Sequence, residues 1–313
     1  METQPRATQG LFLVMVLALA LCVPWLQRPF HTRGEPREAL VAQAMLATGN
    51  WISPPAYDGA VPSKPPFSHW LIAASLPGGE VTEVTSRLPS AIAFVVFAVA
   101  FFNFVSQRVS TRAGLGAALI LLSSSEWFRS ASTCRVDTIL ACSMAGALLS
   151  LFSWWEKGCR GIPYLATLLI ICSALTKGPV GIALPLGIFS LFCWVKSDFK
   201  LAALPPIVAR AILLCVAATC VVSIWYVLGY MQRGTEFLDK VRYENFERLT
   251  STMQDEPHKH GVAYLVGMLA LGLLPWTIPA LVAAGQTIAR GKNIKGRGVR
   301  EWWRTLPHIM QFS

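Results

Sequence analysis

Charged residues and Pro/Gly punctuation cut the chain into long apolar stretches, and eight of these approach the size of a membrane crossing. A hydrocarbon layer about 30 Å thick takes about 20 helical residues, with about 17 to 25 tolerated. The runs are Leu11–Gln27, Leu88–Gln107, Ala113–Phe128, Thr138–Trp155, Ile162–Thr176, Val180–Val195, Ile207–Tyr230 and Val262–Ala284. Several are short for a perpendicular crossing, as happens where helices are broken or partly buried in protein. Between the first two lies a long connection, about 28–87. Within it Ala39, Leu40, Ala42, Met45 and Leu46 form a helical stripe over 36–49, with Gly49 as the stop signal, which predicts a helix lying at the membrane interface. The pattern as a whole predicts an all-α polytopic membrane protein, one unit over 1–313, with about eight transmembrane helices and interfacial helices in its large first loop.

Composition agrees and removes the alternatives. Apolar AVILMFWYC residues make up 54% of the chain and charged residues 14%, against about 25% charged in soluble domains. A soluble globule, a disordered chain and a disulfide-rich secreted scaffold are excluded. Cys22, Cys142, Cys172, Cys193, Cys215 and Cys220 lie inside the apolar runs and no CxxC pair occurs, so the cysteines read as small core residues. The net charge of +10 is partly gathered in Arg290, Lys292, Lys295, Arg297, Arg300 and Arg304. Directly after an apolar run, this stretch reads as a basic cytoplasmic tail, 290–313, and not as a nucleic-acid patch. The first run reads as an anchor, because Leu21 stands where a lipoprotein cleavage box before Cys22 wants Gly or Ala. With the N-terminus inside, Arg108 and Arg112, then Lys157 and Arg160, then Lys196 and Lys200 fall on inner loops, as the positive-inside rule requires. The outer side then receives 28–87, the short connection around Glu126 to Asp137, and 231–261.

That outer side holds the candidate chemistry. Glu35 precedes Pro36 at the start of the interfacial helix, where an acid either serves the helix dipole or takes a proton from an acceptor. Lys64 precedes Pro65 and Pro66, a stiff extended segment that makes it a partner for a lipid phosphate or a snorkelling headgroup lysine. Arg135 and Asp137 open the fourth run, either as functional groups or as a salt bridge. Lys177 stands in the tight turn Lys177-Gly178-Pro179, at an anionic ligand or as an ordinary loop lysine. His258 and His260 lack the four-residue spacing of a helical zinc pair, and there is no GxSxG, P-loop or GxGxxG.

Taken in order, Gly34-Glu35-Pro36-Arg37-Glu38-Ala39, Met45 to Pro54, Lys64-Pro65-Pro66, Ser86-Arg87-Leu88-Pro89-Ser90, Arg135-Val136-Asp137, Leu175 to Pro179 and Leu274-Pro275-Trp276 form a series. This series resembles the polyprenyl-phosphate-sugar-dependent glycosyltransferases of the C-type membrane fold, which include bacterial aminoarabinose (lipid A) transferases and protein O-mannosyltransferases. The resemblance implies a large first periplasmic loop carrying a catalytic acid, and cations that hold the lipid phosphate. On it, Arg37 matches the loop arginine, Lys64 the phosphate-binding lysine, Asp137 the acid of the second periplasmic loop, and Arg248, ending Tyr243-Glu244-Asn245-Phe246-Glu247-Arg248, a second phosphate ligand. The expected activity is transfer of a sugar from a polyprenyl-phosphate donor to a lipid A-like glycolipid or a protein on the periplasmic side of a bacterial inner membrane. Lys64 and Arg248, helped by Arg37, Arg135 and Lys177, would bind the donor, and Glu35 or Asp137 would act as base.

Three departures qualify the match. Gly34 stands where the family has Asp, while Ser63 and Tyr243 stand where it has the acid and histidine that would hold a divalent metal. The family also continues past the point where this chain ends at Ser313, so the chain reads as lacking the family's C-terminal part. A lipid-linked sugar transporter, or a non-catalytic relative, is the rival expectation; a transporter would set ionisable groups near the bilayer midplane in paired broken helices.

Overall fold

Hydrocarbon leaves no water to pair backbone N–H and C=O groups, so apolar runs of this kind must close their hydrogen bonds internally. In the computed structural model they do: the described residues, 4–32, 34–55, 64–76, 78, 80–244 and 261–291, contain only helices and their connections. In chain order the helices are α1 (Gln4–Leu26), α2 (Gly34–Thr48), α3 (Phe67–Ala74), α4 (Glu83–Arg108), α5 (Thr111–Ser123), α6 (Ser125–Ala131) and α7 (Val136–Glu156). There follow α8 (Tyr164–Lys177), α9 (Val180–Lys196), α10 (Leu204–Arg233), α11 (Thr235–Arg242), α12 (Val262–Gly272) and α13 (Thr277–Gly291).

All eight apolar runs are helical, but they differ in length. Among the described residues four stretches are long and apolar enough to span a membrane: Ala7–Leu26, Glu83–Arg108, Val136–Glu156 and Leu201–Arg233. A fifth is counted if Val262–Gly272 and Thr277–Gln286 are taken together, although they are bent by 105°. Helices α5, α8 and α9, of 13, 14 and 17 residues, are apolar but short. The third run divides at Ser124, whose backbone is extended (φ −69°, ψ 126°), and the Ser123 and Ser124 hydroxyls donate back to the carbonyls of Leu119 and Ile120. Hydroxyls that compete for helix carbonyls favour such a break. The eighth bends where Pro275 has no N–H to continue the ladder.

The helix predicted over 36–49 is α2, which ends before Gly49 at φ +69°. Helix α4 starts with a reciprocal capping box between Thr82 and Thr85. One core joins α1, α4, α5 and α6 around Val14, Ala18, Phe94, Phe102 and Leu122; another joins α7 to α10 around Leu151, Ile170, Phe189 and Leu214. Helix α4 packs on α7, and the Phe152 ring lies 5.6 Å from Phe104 and 5.7 Å from Phe192, linking the halves. Lipid supplies no hydrophobic drive between helices, so association depends on close backbone approach over small residues. Gly181 is the plainest case: a Cβ there would lie 2.4 Å from the backbone of Ser173, whose hydroxyl donates to the Gly181 carbonyl at 2.6 Å. Helices α7 and α8 run antiparallel, which sets the N-terminus of α7 beside the C-terminus of α8. Over that end lie α2 and α3, packed on each other and on Cys134.

Candidate active site

The deepest element of the site is an ion pair. Arg87, in the first turns of α4, and Glu35, in the first turn of α2, are both fully buried, with Arg87 Nε donating to Glu35 Oε1 at 2.9 Å. A charge in such a place is tolerated only when paired and fully hydrogen-bonded. Every polar side-chain atom of both groups has a partner. Arg87 Nη1 donates to the carbonyls of Trp25 and Leu26, each at 3.1 Å, and to that of Arg28, and Nη2 reaches Pro29. Trp25 and Leu26 are the last residues of α1, whose carbonyls no helical N–H can satisfy, and Arg28 and Pro29 follow in the connection. Glu35 also accepts from the backbone N–H groups of Cys134 at 3.0 Å and His31 at 3.2 Å. One carboxylate thus ties α1, α2, α4 and the approach to α7 together. Burial pushes its pKa up, but Arg87 and the two backbone donors outweigh burial and hold it below the usual carboxylate range.

One helical turn on, Glu38 is also buried and makes a second cluster. It accepts from Lys64 Nζ at 2.5 Å and bonds His69 Nε2, on α3, at 2.7 Å, while half-exposed Arg37 lies 3.7 Å away. Burial again raises the Glu38 pKa, but His69 and Lys64 override it and keep the group well below the ordinary value of 4.5. A carboxyl depressed on folding contributes stability that is complete above its unfolded value and is lost as pH falls through its folded one. The melting temperature of the detergent-solubilised protein is therefore expected to fall as pH drops below about 4.5. Glu38→Gln should melt lower than wild type at neutral pH, and the two should converge in acid.

The third cluster is open. Asp137, in the first turn of α7, where the helix dipole favours an anion, is 37% exposed at its side chain. Its Oδ1 accepts from Lys177 Nζ at 2.8 Å and its Oδ2 pairs with Arg135 Nε at 3.2 Å. Lys177 is the last residue of α8 rather than a turn residue, and Gly178 at φ +74° ends that helix. The turn ahead of Asp137 is pinned by Thr138, whose hydroxyl donates to the Ser130 carbonyl at 2.6 Å. Cys134, three residues before Asp137, packs with Ala39 and Ala42 of α2, the helix whose Glu38 holds Lys64, so the second and third clusters are neighbours. Beside them on α6, Arg129 is hydrogen-bonded to Glu126 at 2.8 Å and senses the charge of Asp137.

The residues expected to act together from sequence thus divide. Arg37, Lys64, Arg135, Asp137 and Lys177 share one end of the helical bundle, whereas Glu35 is enclosed beneath them. Arg248, Ser63, His258, His260 and all but the first residues of the basic tail lie outside the described residues. Tyr243, just after α11, has Lys240 Nζ 5.9 Å above its ring. Ser63 and Tyr243 offer neither a carboxylate nor an imidazole, and among the described residues no group of three His, Cys, Asp or Glu is placed to hold a metal. The donors at those two positions do not fit a divalent ion. Sequence reasoning missed four contributors, Glu38, His69, Arg87 and Cys134. His69 carried no signal beyond its place five residues after Lys64; Arg87 could have been noticed as a cation at the edge of a long apolar run. Cys134 lies between the clusters, where burial and the two glutamates push its thiol pKa up and keep it protonated and unreactive.

Comparison with known proteins bears on this geometry. A family model for "Dolichyl-phosphate-mannose-protein mannosyltransferase" matches residues 63–226, just over half of the chain and the stretch that includes Lys64, Asp137 and Lys177. The undecaprenyl phosphate-alpha-4-amino-4-deoxy-L-arabinose arabinosyl transferase of Edwardsiella ictaluri is 26% identical over 95% of this chain and 54% of its own length. Two crystal structures of ArnT from Cupriavidus metallidurans share the fold. The one bound to undecaprenyl phosphate superposes with a TM-score of 0.73 at 23% identity, covering 88% of this chain and 51% of that one. The apo form gives 0.68 at 21% identity, covering 98% and 57%. This chain spans about half the length of the curated relatives it matches.

Proposed function

This chain belongs to the dolichyl-phosphate-mannose-protein mannosyltransferase family, and from that premise we propose that it is a multi-pass membrane glycosyltransferase. In this reading residues 1–313 act as one transmembrane unit of a bacterial inner membrane. It takes a sugar from a polyprenyl-phosphate carrier and passes it, on the periplasmic side, to a hydroxyl or phosphate of a lipid A-like glycolipid or of a protein. The observation that carries the proposal is the convergence of Lys64, Arg135, Asp137 and Lys177, brought from separate segments to one end of the bundle with Asp137 open.

In the free protein Asp137 occupies Lys177 and Arg135. A donor phosphate competes for those cations, and Lys64, already positioned by Glu38, adds a third. As the bond from the anomeric carbon to the phosphate oxygen breaks, charge grows on the leaving phosphate, and fixed cations stabilise it more in the transition state than in the ground state. Arg37 at the rim and Arg248 extend the same role. Asp137, released from its cations, accepts the proton of the acceptor hydroxyl as that oxygen attacks the anomeric carbon. Glu35 serves as the scaffold of the site rather than as its base.

The test is transfer of radiolabelled sugar from polyprenyl-phosphate donors in membranes carrying the chain, with insertion of each variant confirmed. Lys64→Ala and Lys177→Ala are each expected to lose about 10²–10³-fold in turnover, the usual cost of one transition-state charge partner. A second reading, a non-catalytic relative, rests on Gly34 replacing the family's Asp and on the enclosure of Glu35. Absence of turnover from the inserted wild-type chain over a broad donor and acceptor panel would favour it. The transporter reading finds less support, since the ion pairs at Asp137 and Glu38 sit at a helix end and under an interfacial helix.

A further inference from the structure

A groove of about 850 Å³ opens between α4, α7 and α8, with Phe67 and Leu71 of α3 at the end opposite Lys157 and Arg160, a volume within the range of about 300–1,000 Å³ typical of ligand pockets. Its floor is the face of α7 that carries Ser143, Gly146 and Ser150, residues three and four apart and therefore stacked on one side of the helix. Because these side chains are small, α4 and α8 wall a trough rather than meet across it. One end of the trough is closed by Lys157 and Arg160, both exposed and neither in a salt bridge among the described residues. Arg108, at the same end of the bundle, is by contrast taken up by Glu156 and Ser153 and lies outside the lining.

We propose that this groove binds one anionic glycerophospholipid, with its phosphate at Lys157 and Arg160 and its acyl chains along the α7 face. Two arguments select this occupant. An apolar trough ended by two cations without carboxylate partners complements a molecule with a long apolar tail and an anionic head. The cations also stand at the wrong end for the glycosyl donor. Asp137 and Lys157 are separated by the length of α7, about 30 Å at 1.5 Å per residue, so the head bound here belongs to the leaflet opposite the Lys64–Asp137–Lys177 site. The lipid would hold α4 against α8 from within the membrane.

The experiment uses the full chain, purified in detergent and stripped of lipid, with binding read by native mass spectrometry and by thermal shift. The probes are phosphatidylglycerol, phosphatidylcholine of the same acyl chains, and decaprenyl phosphate. Phosphatidylglycerol is expected to bind about tenfold more tightly than phosphatidylcholine, a difference of one decade in Kd. The double change Lys157→Ala with Arg160→Ala, on exposed side chains that leave folding intact, should remove that preference. Ser150→Phe should abolish binding of both phospholipids by filling the trough, and decaprenyl phosphate should bind all three proteins alike. Equal binding of the two phospholipids to wild type, or an unchanged preference in the double variant, would overturn the proposal. So would displacement of phosphatidylglycerol by decaprenyl phosphate, which would give the groove to the donor tail. Binding at Lys157 and Arg160 with no glycosyl transfer would leave the lipid site standing while the proposed activity fell.

Discussion

Asp137→Asn is expected to lower glycosyl transfer by about 10²–10⁴-fold, the range contributed by a positioned general base, while the protein stays inserted and binds its donor. The change is nearly isosteric and falls on a half-exposed group, so folding should be little affected. An amide oxygen can still accept from Lys177, but it cannot take the acceptor's proton. The loss should appear in kcat, with KM for the donor unchanged or lower, because Lys177 and Arg135 no longer have an internal anion to compete with the phosphate. A variant that keeps wild-type kcat would remove Asp137 from the chemistry and return attention to the acceptor side of the site.

The second large effect is on stability. Arg87→Met is expected to destabilise the protein by about 3–5 kcal/mol, since it leaves the Glu35 carboxylate buried without its charge partner and strands the α1 carbonyls that the guanidinium serves. Glu35→Gln should cost less, because its amide can still accept from Cys134 N–H. The two single losses should exceed that of the double variant, as for any pair acting as one unit. Thermal unfolding in detergent measures all three. A Glu35→Gln protein with a wild-type melting temperature and no transfer activity would make Glu35 a reacting group and refute the scaffold role assigned to it.

The helical class, a first helix long and apolar enough to span a membrane, the helix ended by Gly49 and the Arg135–Asp137 pair were all legible in the order of residues. Each depends on short-range physics: apolar length against membrane thickness, a glycine that can adopt positive φ, charges two positions apart at a helix start. The number of crossings was less legible. Hydropathy does not fix the helical length of α8 or α9, and it does not see Ser123 and Ser124 turning their hydroxyls onto the preceding helix turn. Nor does sequence distance reveal that His69 lies against Glu38 or that Arg87 meets Glu35.

What the sequence by itself determined is a membrane protein made of helices, with ionisable groups gathered at the ends of the long apolar runs and in the segments between them, because charge is costly in hydrocarbon and the chain places little of it there. Only the tertiary structure decided the surroundings of the three carboxylates. Glu35, Glu38 and Asp137 are chemically alike, yet one is enclosed by Arg87 and backbone donors, one is held by Lys64 and His69, and one is open between Lys177 and Arg135. The difference arises from partners supplied by other segments, as distant as 99 positions for the Cys134 N–H that meets Glu35. The ionisation of a carboxyl, and its freedom to meet a substrate, depend on the charges and dipoles packed around it rather than on its neighbours in the chain.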